Sequence, residues 1–419
     1  MIGIFFPQRI ALAIDGRSYS PQVLTKLIAA SSHVPSYSIA SKLLDELGGI
    51  SISGRHLNNL TVKIGAELAE GRDARTAAYF NQPLPRIPQR AEVPISLATV
   101  SIDGGRMQTR LDGASVGVHD PHWRETKNAL FLRMSGVSFQ EDPHGELPKC
   151  FVDRHGMKTL LPGVEPPQDE HNVDRQSVGD TRREDSRWRP ESLFRTCLSS
   201  LTNSQAFGRM MAAEADSRGF YQAAKQAFVC DGLPYNWTIQ QTHFPGFTPI
   251  LDFVHAVEHI YAAARCVRSD QEEIWRLHLQ WTDACWKGQV RKVISALLAE
   301  QQRIGEPPPG ADENDPRKII AAVIGYFRNN AARMDYPAYR RQGLPVTSAL
   351  MESFVKELNR RVKGTEKFWN DGVSGEAILQ VRAAALCDDD RLYRHLQNRP
   401  GNPFRPNARR HPPASATAS

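Results

Sequence analysis

Three acidic residues stand where their carboxylates could bind divalent metal ions. Two of them, Asp103 and Asp231, each end a strand-like apolar run and are followed by a glycine. A carboxylate at the carboxyl end of a buried strand points into the crevice where α/β sheets place their functional sites. Either Asp-Gly dipeptide alone is more typical of a turn. A third acid in suitable surroundings is therefore needed to favour a metal site.

The third acid, Glu352, lies near the start of a helix that the apolar spacing predicts over residues 348–363. Lys356, Asn359 and Lys363 continue its stripe at helical spacing, beside an apolar stripe. One acid at the head of a basic and polar face suits a carboxylate that binds metal while lysines hold phosphates. A surface ion pair between Glu352 and Lys356 explains the same pattern.

The segments around these acids resemble the transposases of bacterial insertion sequences. The chain most resembles the ISKra group, which is related to the mutator-like transposases. The segments that carry the resemblance lie at 231–237 (DGLPYNW), 243–246 (HFPG), 250–259 (ILDFVHAVEH), 333–340 (RMDYPAYR), 342–345 (QGLP), 351–353 (MES) and 361–364 (RVKG), with Trp369. Their joint order and spacing make the match specific.

This resemblance implies a DDE catalytic domain, in which Asp103 and Asp231 are the two aspartates and Glu352 is the glutamate. Such a domain cuts and joins phosphodiesters by in-line attack of water or a 3′-hydroxyl on phosphorus. Two Mg²⁺ (or Mn²⁺) ions about 3.5–4 Å apart would assist that attack. Carboxylate oxygens are the ligands that such hard ions prefer.

The resemblance also implies an α/β RNase H-like core with an all-helical insertion. The predicted regions are a helical N-terminal region (1–90), the two parts of the core (91–253, with a polar stretch at 141–190, and 344–397), the insertion (254–343) and a disordered basic tail (398–419). Strands are expected at 93–103, 130–139, 226–230 and 248–253. Helices are expected at 191–217, 254–302, 318–334 and 348–363.

Three short helices are predicted at 21–32, at 38–47 and after Ser53, which can cap the third. The glycine-containing turn between the last two resembles a helix-turn-helix unit. Its third helix would offer Arg55 and Lys63 to phosphates and base edges. A plain three-helix packing region explains the same pattern.

Contacts to double-stranded DNA are also implied near the catalytic acids. Asp252 and His255 match an Asp-x-x-His signature of related families and would lie near the DNA. The residues expected to contact phosphates or bases around the glutamate are Lys356, Asn359, Arg361, Lys363 and Trp369. Because two transposon ends must be paired, a homodimer or larger assembly is expected in the DNA complex.

Two other functions remain open. Asp252, His255 and His259 have a spacing that would allow a metal-dependent nuclease or phosphohydrolase, although His255 could also be a structural histidine. The chain could instead be an inactive, transposase-derived DNA-binding protein. Thr347 and Ala349 stand where relatives usually have glycines, and added side chains there could weaken the site.

Composition sets wider bounds on these functions. The 419 residues carry 52 Lys and Arg against 46 Asp and Glu, a formal charge of +6 that is compatible with a phosphate-bearing partner. Six scattered cysteines without a C-x-x-C pair predict reduced thiols, and no apolar stretch is long enough for a membrane span. A cytoplasmic, nucleoid-associated protein is therefore expected. The sequence has no phosphate-binding P-loop, G-x-S-x-G elbow or H-E-x-x-H helix.

Overall fold

The structure, a computed structural model, describes residues 7–11, 19–110, 122–158, 161, 164, 189–364, 367–369 and 371–399. Two predictions fall outside these residues. They concern the basic tail from residue 400 onward and the part of the polar stretch at 165–188. None of the described helices combines the length and the apolar character that a membrane-spanning segment needs.

Sixteen α-helices and six strands are found in the described part of the chain. The strands are β1 (Leu97–Thr109), β2 (Trp123–Met134), β3 (Ser192–Ser200), β4 (Lys225–Cys230), β5 (Thr248–Leu251) and β6 (Phe368–Trp369). The helices before β4 are α1 (Pro7–Ala11), α2 (Pro21–His33), α3 (Tyr37–Gly48), α4 (Gly54–Phe80), α5 (Lys149–Val152), α6 (Arg154–Met157) and α7 (Ser204–Ser217). The later helices are α8 (Pro234–His243), α9 (Phe253–Val267), α10 (Gln271–Trp286), α11 (Val290–Ile304), α12 (Pro316–Asn330), α13 (Tyr336–Arg341), α14 (Ala349–Val362), α15 (Gly372–Ala385) and α16 (Arg391–Asn398).

All six strands form one mixed sheet in the order β3-β2-β1-β4-β5, and β6 pairs with the far end of β1. β1, β2 and β3 run antiparallel, whereas β4 and β5 run parallel to β1. Helix α7 packs on β2, α14 on β1 and β2, and α15 on β3. The first six residues of β1 are all buried, as expected for a central strand covered by helices. The predicted α/β fold class is confirmed.

β1 is longer than the sequence suggested. The expectation that it ends at Asp103 is wrong, because the antiparallel pairing with β2 continues from Asp103 opposite Asn128 to Gln108 opposite Trp123. Two glycines follow Asp103 within the strand, and the side chains of Thr126 and Asn128 occupy the space that a Cβ at Gly105 would need. Asp103 therefore lies within a continuous strand and does not begin a turn.

Two further secondary-structure predictions are corrected. The strand expected at 130–139 lies at Trp123–Met134 instead. The helix expected at 191–217 is a strand, Ser192–Ser200, followed by a helix that begins after Asn203, whose side chain caps it. This segment forms a strand because it hydrogen-bonds to β2. Pairing with a neighbouring strand overrides a local apolar pattern that also fits a helix.

The region predicted to be helical after residue 254 is confirmed as helical. It is divided into α9, α10 and α11, and a segment without helix between Ile304 and Pro316 separates them from α12. Trp286 lies at the centre of this region, in contact with the ring of Phe253 and beneath the guanidinium of Arg340. Arg340 is fully buried and pairs with Asp142. This contact ties the helices to the segment that follows β2.

The N-terminal helices begin close to their predicted positions, and Ser53 caps α4 as expected. Their apolar side chains form one core with Val381 and Ala384 of α15 and with Leu392 and Leu396 of α16. Helices α2, α3 and α4 thus bury their apolar surface against α15 and α16, the last two helices of the described chain. DNA binding by this region stays a prediction.

Gly65 allows α4 and α15 to pack closely. A Cβ at this position would lie 2.1 Å from the carbonyl oxygen of Ala377, a backbone atom that cannot move away independently. We expect Gly65→Ala to lower the free energy of unfolding by about 1–3 kcal/mol, as overpacking of a core does. Gly71→Ala is the matched control, because its Cβ would meet only the flexible Arg75 side chain.

Urea unfolding of both variants would measure this difference. Gly71→Ala is expected to be neutral, or to stabilise the protein by about 0.5–1 kcal/mol through helix propensity. Equal effects of the two substitutions would contradict the close packing at Gly65.

Candidate active site

Asp103 and Asp231 occupy neighbouring positions on the sheet. Ile102 of β1 pairs in parallel register with Cys230, the last residue of β4, so each aspartate directly follows one member of that pair. Adjacent strands lie about 4.8 Å apart. The prediction that β4 ends at Asp231 is confirmed. The sheet therefore brings the two aspartates together, although only one of their strands ends there.

Asp231 is held by the turn and the helix that follow it. Its Oδ1 accepts a hydrogen bond from the backbone N–H of Leu233 at 3.1 Å and another from the side-chain amide of Asn236 at 2.7 Å. Gly232 has a φ of +88°, and a Cβ there would also approach the Leu251 side chain at 2.8 Å. Glycine is thus required here for two reasons: its backbone conformation is rare for other residues, and the packing leaves no space for a Cβ.

Glu352 lies in the first turn of α14, which packs on β1 and β2. Its side chain is half-buried, and the Nζ of Lys356 lies 3.4 Å from its Oε2. The ion pair that the sequence offered as an alternative is therefore present. Lys356 is 70% exposed, however, and such surface pairs contribute little to stability. The pairing leaves the Glu352 carboxylate available for another role.

The three carboxylates interact electrostatically. Burial, together with the negative charges of Asp231 and Glu352, raises the pKa of Asp103 to about 6 against the opposing effects of the Gly104 N–H and His255. A carboxyl whose pKa is raised by neighbouring negative charges has surroundings in which a divalent cation is favourable. The donor set therefore fits Mg²⁺ or Mn²⁺. Among the described residues, however, no group of three or more His, Cys, Asp or Glu side chains is arranged closely enough to hold a metal ion as it stands.

Asp103→Asn tests this electrostatic repulsion in protein freed of divalent ions. The pKa of Asp103 is about 6 in the folded state against 3.8 for a free aspartate side chain, so its contribution to stability is lost as pH rises through this interval. We expect the variant to be more stable than wild type at pH 8, by no more than about 3 kcal/mol, and equal to it near pH 4. Urea unfolding at both pH values is the measurement. The exposed Asp45→Asn is the control, and a variant less stable than wild type at pH 8 would contradict the expectation.

Asp252 joins β4 to α14 from within the core. It is fully buried, caps α9 through the N–H of Val254 at 3.0 Å, and accepts a hydrogen bond from the Ser348 hydroxyl at 2.5 Å. Its own N–H donates to the carbonyl of Cys230 at 2.9 Å. Asp252 thus links the end of β4 to the start of the helix that carries Glu352. The expected contact of Asp252 with DNA is replaced by this structural role, because no part of the residue reaches the surface.

His255 follows one helical turn later and lines a cleft beside Asp231. Burial lowers its pKa, but a hydrogen bond to Glu258 and the charges of Asp252, Glu258 and Asp231 outweigh that effect and raise it to about 9. The imidazole is therefore protonated at neutral pH and available to attract phosphate. Among the described residues, Asp252, His255 and His259 form no group arranged to hold a metal ion. The His259 ring instead stacks on Tyr326, with centroids 3.8 Å apart.

The other predicted DNA contacts divide by exposure. Arg55 and Lys63 on α4, Lys356 on α14 and Lys363 directly after α14 are exposed, whereas Asn359 is half-buried. These residues are accessible to a ligand, and their contact with DNA stays a prediction.

Arg361 and Trp369 differ from these residues. Arg361 is 2% exposed and donates a hydrogen bond from Nε to the carbonyl of Ser31 at 2.7 Å, while its guanidinium lies over the Tyr37 ring. The buried Trp369 indole donates to the carbonyl of Val362 at 3.0 Å. Both residues thus hold α14 in place, and neither is available to DNA at the surface of this structure.

Sequence reasoning missed several residues that position the site. Asn236 could have been found, because it lies five residues after Asp231 in the first turn of a helix that Pro234 begins. Ser348 precedes the glutamate helix and was predicted only as its start. Tyr326, which donates to the carbonyl of Asp231 at 2.9 Å, comes from a helix far along the chain and has no local signal.

A cavity of about 240 Å³ lies between β1 and the segment that leads into α14. Thr347 and Ala349, the two departures from the usual glycines, line it together with Thr99 and Ser101 of β1. The added side chains thus line a cavity against β1 at Thr99 and Ser101, four and two residues before Asp103.

No protein-family model matches the chain, and no curated protein matches it. One similar solved structure is the Drosophila P element transposase strand transfer complex, with a TM-score of 0.33 and 9% sequence identity. The similarity covers 93% of this chain and 97% of that chain. A likeness at this level carries no argument about function.

Proposed function

We propose that this chain is a DDE transposase of an ISKra-like insertion sequence, which cuts transposon ends and joins them to target DNA. One observation carries the proposal. Asp103 and Asp231 follow paired positions on adjacent parallel strands, within electrostatic reach of Glu352. The resemblance of the surrounding segments to insertion-sequence transposases assigns these same three residues to the catalytic triad.

Each residue of the site has its own role in the proposed reaction. Asp103, Asp231 and Glu352 would hold two Mg²⁺ or Mn²⁺ ions, which activate the attacking oxygen and stabilise the leaving oxygen. Asn236 and the Leu233 N–H fix the direction of the Asp231 carboxylate.

Two further residues act at a distance from the triad. Asp252 fixes the start of the Glu352 helix through Ser348. Glu352 therefore keeps a fixed position relative to the end of β4. The cationic imidazole of His255 would attract a phosphate towards Asp231.

Double-stranded DNA would lie along the exposed basic residues near the site, Lys356 and Lys363, and could extend to Arg55 and Lys63 on α4. Such contacts bind the phosphate backbone and make binding depend on salt concentration. Two copies of the chain would be needed to hold two ends at once, so a dimer in the DNA complex is part of the proposal.

Cleavage of labelled DNA that carries the element's own ends, with Mg²⁺ or Mn²⁺, tests this function. Metal-dependent cutting at the ends supports the proposal. DNA binding without cutting under either metal would overturn it in favour of an inactive DNA-binding protein.

A further inference from the structure

A cleft of about 610 Å³ opens beside Asp231, between α8, α9 and α12. His255, Asn329 and Arg333 line it together with Trp237, and among its described lining residues Asp231 is the only acid. A site that presents several N–H donors and the guanidinium of Arg333 beside a catalytic carboxylate suits an anion that must approach that carboxylate. The catalytic scheme above uses Asp231 and His255 from this cleft and gives no role to Arg333.

Arg333 is held firmly at the wall of this cleft. Its guanidinium carbon lies 4.3 Å from the centroid of the Trp237 ring, a cation–π distance. Its Nη1 donates to the carbonyl of Asn329 at 2.9 Å and to the side-chain oxygen of Asn330 at 3.4 Å. The ring beneath it is fixed in turn, because the Trp237 indole N–H donates to the same Asn330 oxygen at 2.9 Å.

These partners position the guanidinium without neutralising it, since a ring, a carbonyl and an amide are all uncharged. The two bonds to asparagine use Nη1, whereas a guanidinium has five N–H donors in a fork that matches phosphate geometry. A pre-positioned arginine of this kind loses little conformational entropy on binding, so its contact with an anion is correspondingly strong.

We infer that Arg333 binds a backbone phosphate of the DNA strand that enters the active site, in the cleft beside Asp231. This inference rests on the proposed function and adds a contact that the resemblance does not assign. The strand would pass between α8 and α12, so that Arg333 on one wall fixes its position relative to Asp231. Arg333 is thus a positioning residue, and its contribution is electrostatic.

The test measures DNA affinity as a function of salt concentration for wild type, Arg333→Gln and Arg333→Lys. A short duplex of arbitrary sequence is used with EDTA present, since target DNA must reach the same site and no cleavage is needed. Loss of one phosphate contact lowers the slope of log affinity against log salt by about 0.9. We expect that loss in Arg333→Gln and a slope close to wild type in Arg333→Lys, which keeps the charge.

Arg328→Gln is the matched control, because Arg328 is exposed near the end of α12, five residues before Arg333, but does not line the cleft. Equal slopes for wild type and Arg333→Gln would overturn the inference while leaving the proposed function intact. An equal loss in the Arg328 control would overturn it as well, by showing a general charge effect. Absence of DNA binding by wild type would overturn the proposed function itself. Thermal unfolding of each variant shows that the comparison is made between folded proteins.

Discussion

Glu352→Gln is expected to lower the rate of DNA strand cleavage at least about a thousandfold. Glutamine keeps the size and hydrogen bonding of glutamate but lacks the negative charge that binds divalent cations. Metal ions stabilise the developing charge on the reacting oxygens by several kcal/mol, and about 4 kcal/mol corresponds to three powers of ten in rate. The measurement is the single-turnover cleavage rate of labelled element ends in Mg²⁺.

Glu357→Gln provides a control with the same change in charge on the same helix. Glu357 lies five residues further on and pairs with Arg195 at 3.3 Å. Its substitution is expected to change the cleavage rate by less than about threefold, as for surface changes that cost under about 0.5 kcal/mol. If Glu352→Gln cut DNA as fast as wild type, Glu352 would not be a metal ligand, and the cluster of Asp252 and His255 would become the alternative.

Asp252→Ala is expected to lower the free energy of unfolding by about 2–4 kcal/mol. The substitution removes the cap of α9, worth about 0.5–2 kcal/mol, and leaves the buried Ser348 hydroxyl without its acceptor, which costs about 1–3 kcal/mol. Urea unfolding measures the change. Because the same bonds fix the helix that carries Glu352, cleavage should fall in parallel.

Asp252→Asn separates hydrogen bonding from charge. Burial raises the pKa of Asp252, so the charged form is itself destabilising at neutral pH. Asparagine can cap α9 and bond to Ser348 without that charge, and its cost should stay below about 1 kcal/mol. If Asp252→Ala left stability unchanged but abolished metal-dependent cleavage, Asp252 would be a metal ligand and its structural role would be wrong.

The candidate site was predictable where each residue carried its own local signal. Asp231 could be placed at a strand end because a buried apolar run, an aspartate and a glycine adjoin in the sequence. Glu352 could be placed on a helix because apolar residues recur at helical spacing around it. Arg55 and Lys63 were predicted to face outward for the same reason, and both are exposed.

The remainder depended on partners that are distant in sequence. The continuation of β1 past Asp103 is determined by β2, and the strand at Ser192–Ser200 is likewise determined by pairing with β2. The burial of Arg361 follows from contact with Ser31 and Tyr37, hundreds of residues earlier. A stripe on a predicted helix shows which residues share a face, but it does not show which other elements cover that face.

The core that α2, α3 and α4 share with α15 and α16 has a consequence for synthesis of the protein. Synthesis proceeds from the N-terminus, so α2, α3 and α4 leave the ribosome long before the residues of α15 and α16 that complete their core. Until then Leu57, Leu60 and Ile64 have no C-terminal partners, and exposed apolar surface of this kind favours aggregation. The core around α2, α3 and α4 is therefore completed only at the end of this stretch of synthesis. The salt bridge between Glu67 of α4 and Arg399, at 2.5 Å, can form only after translation has passed residue 399.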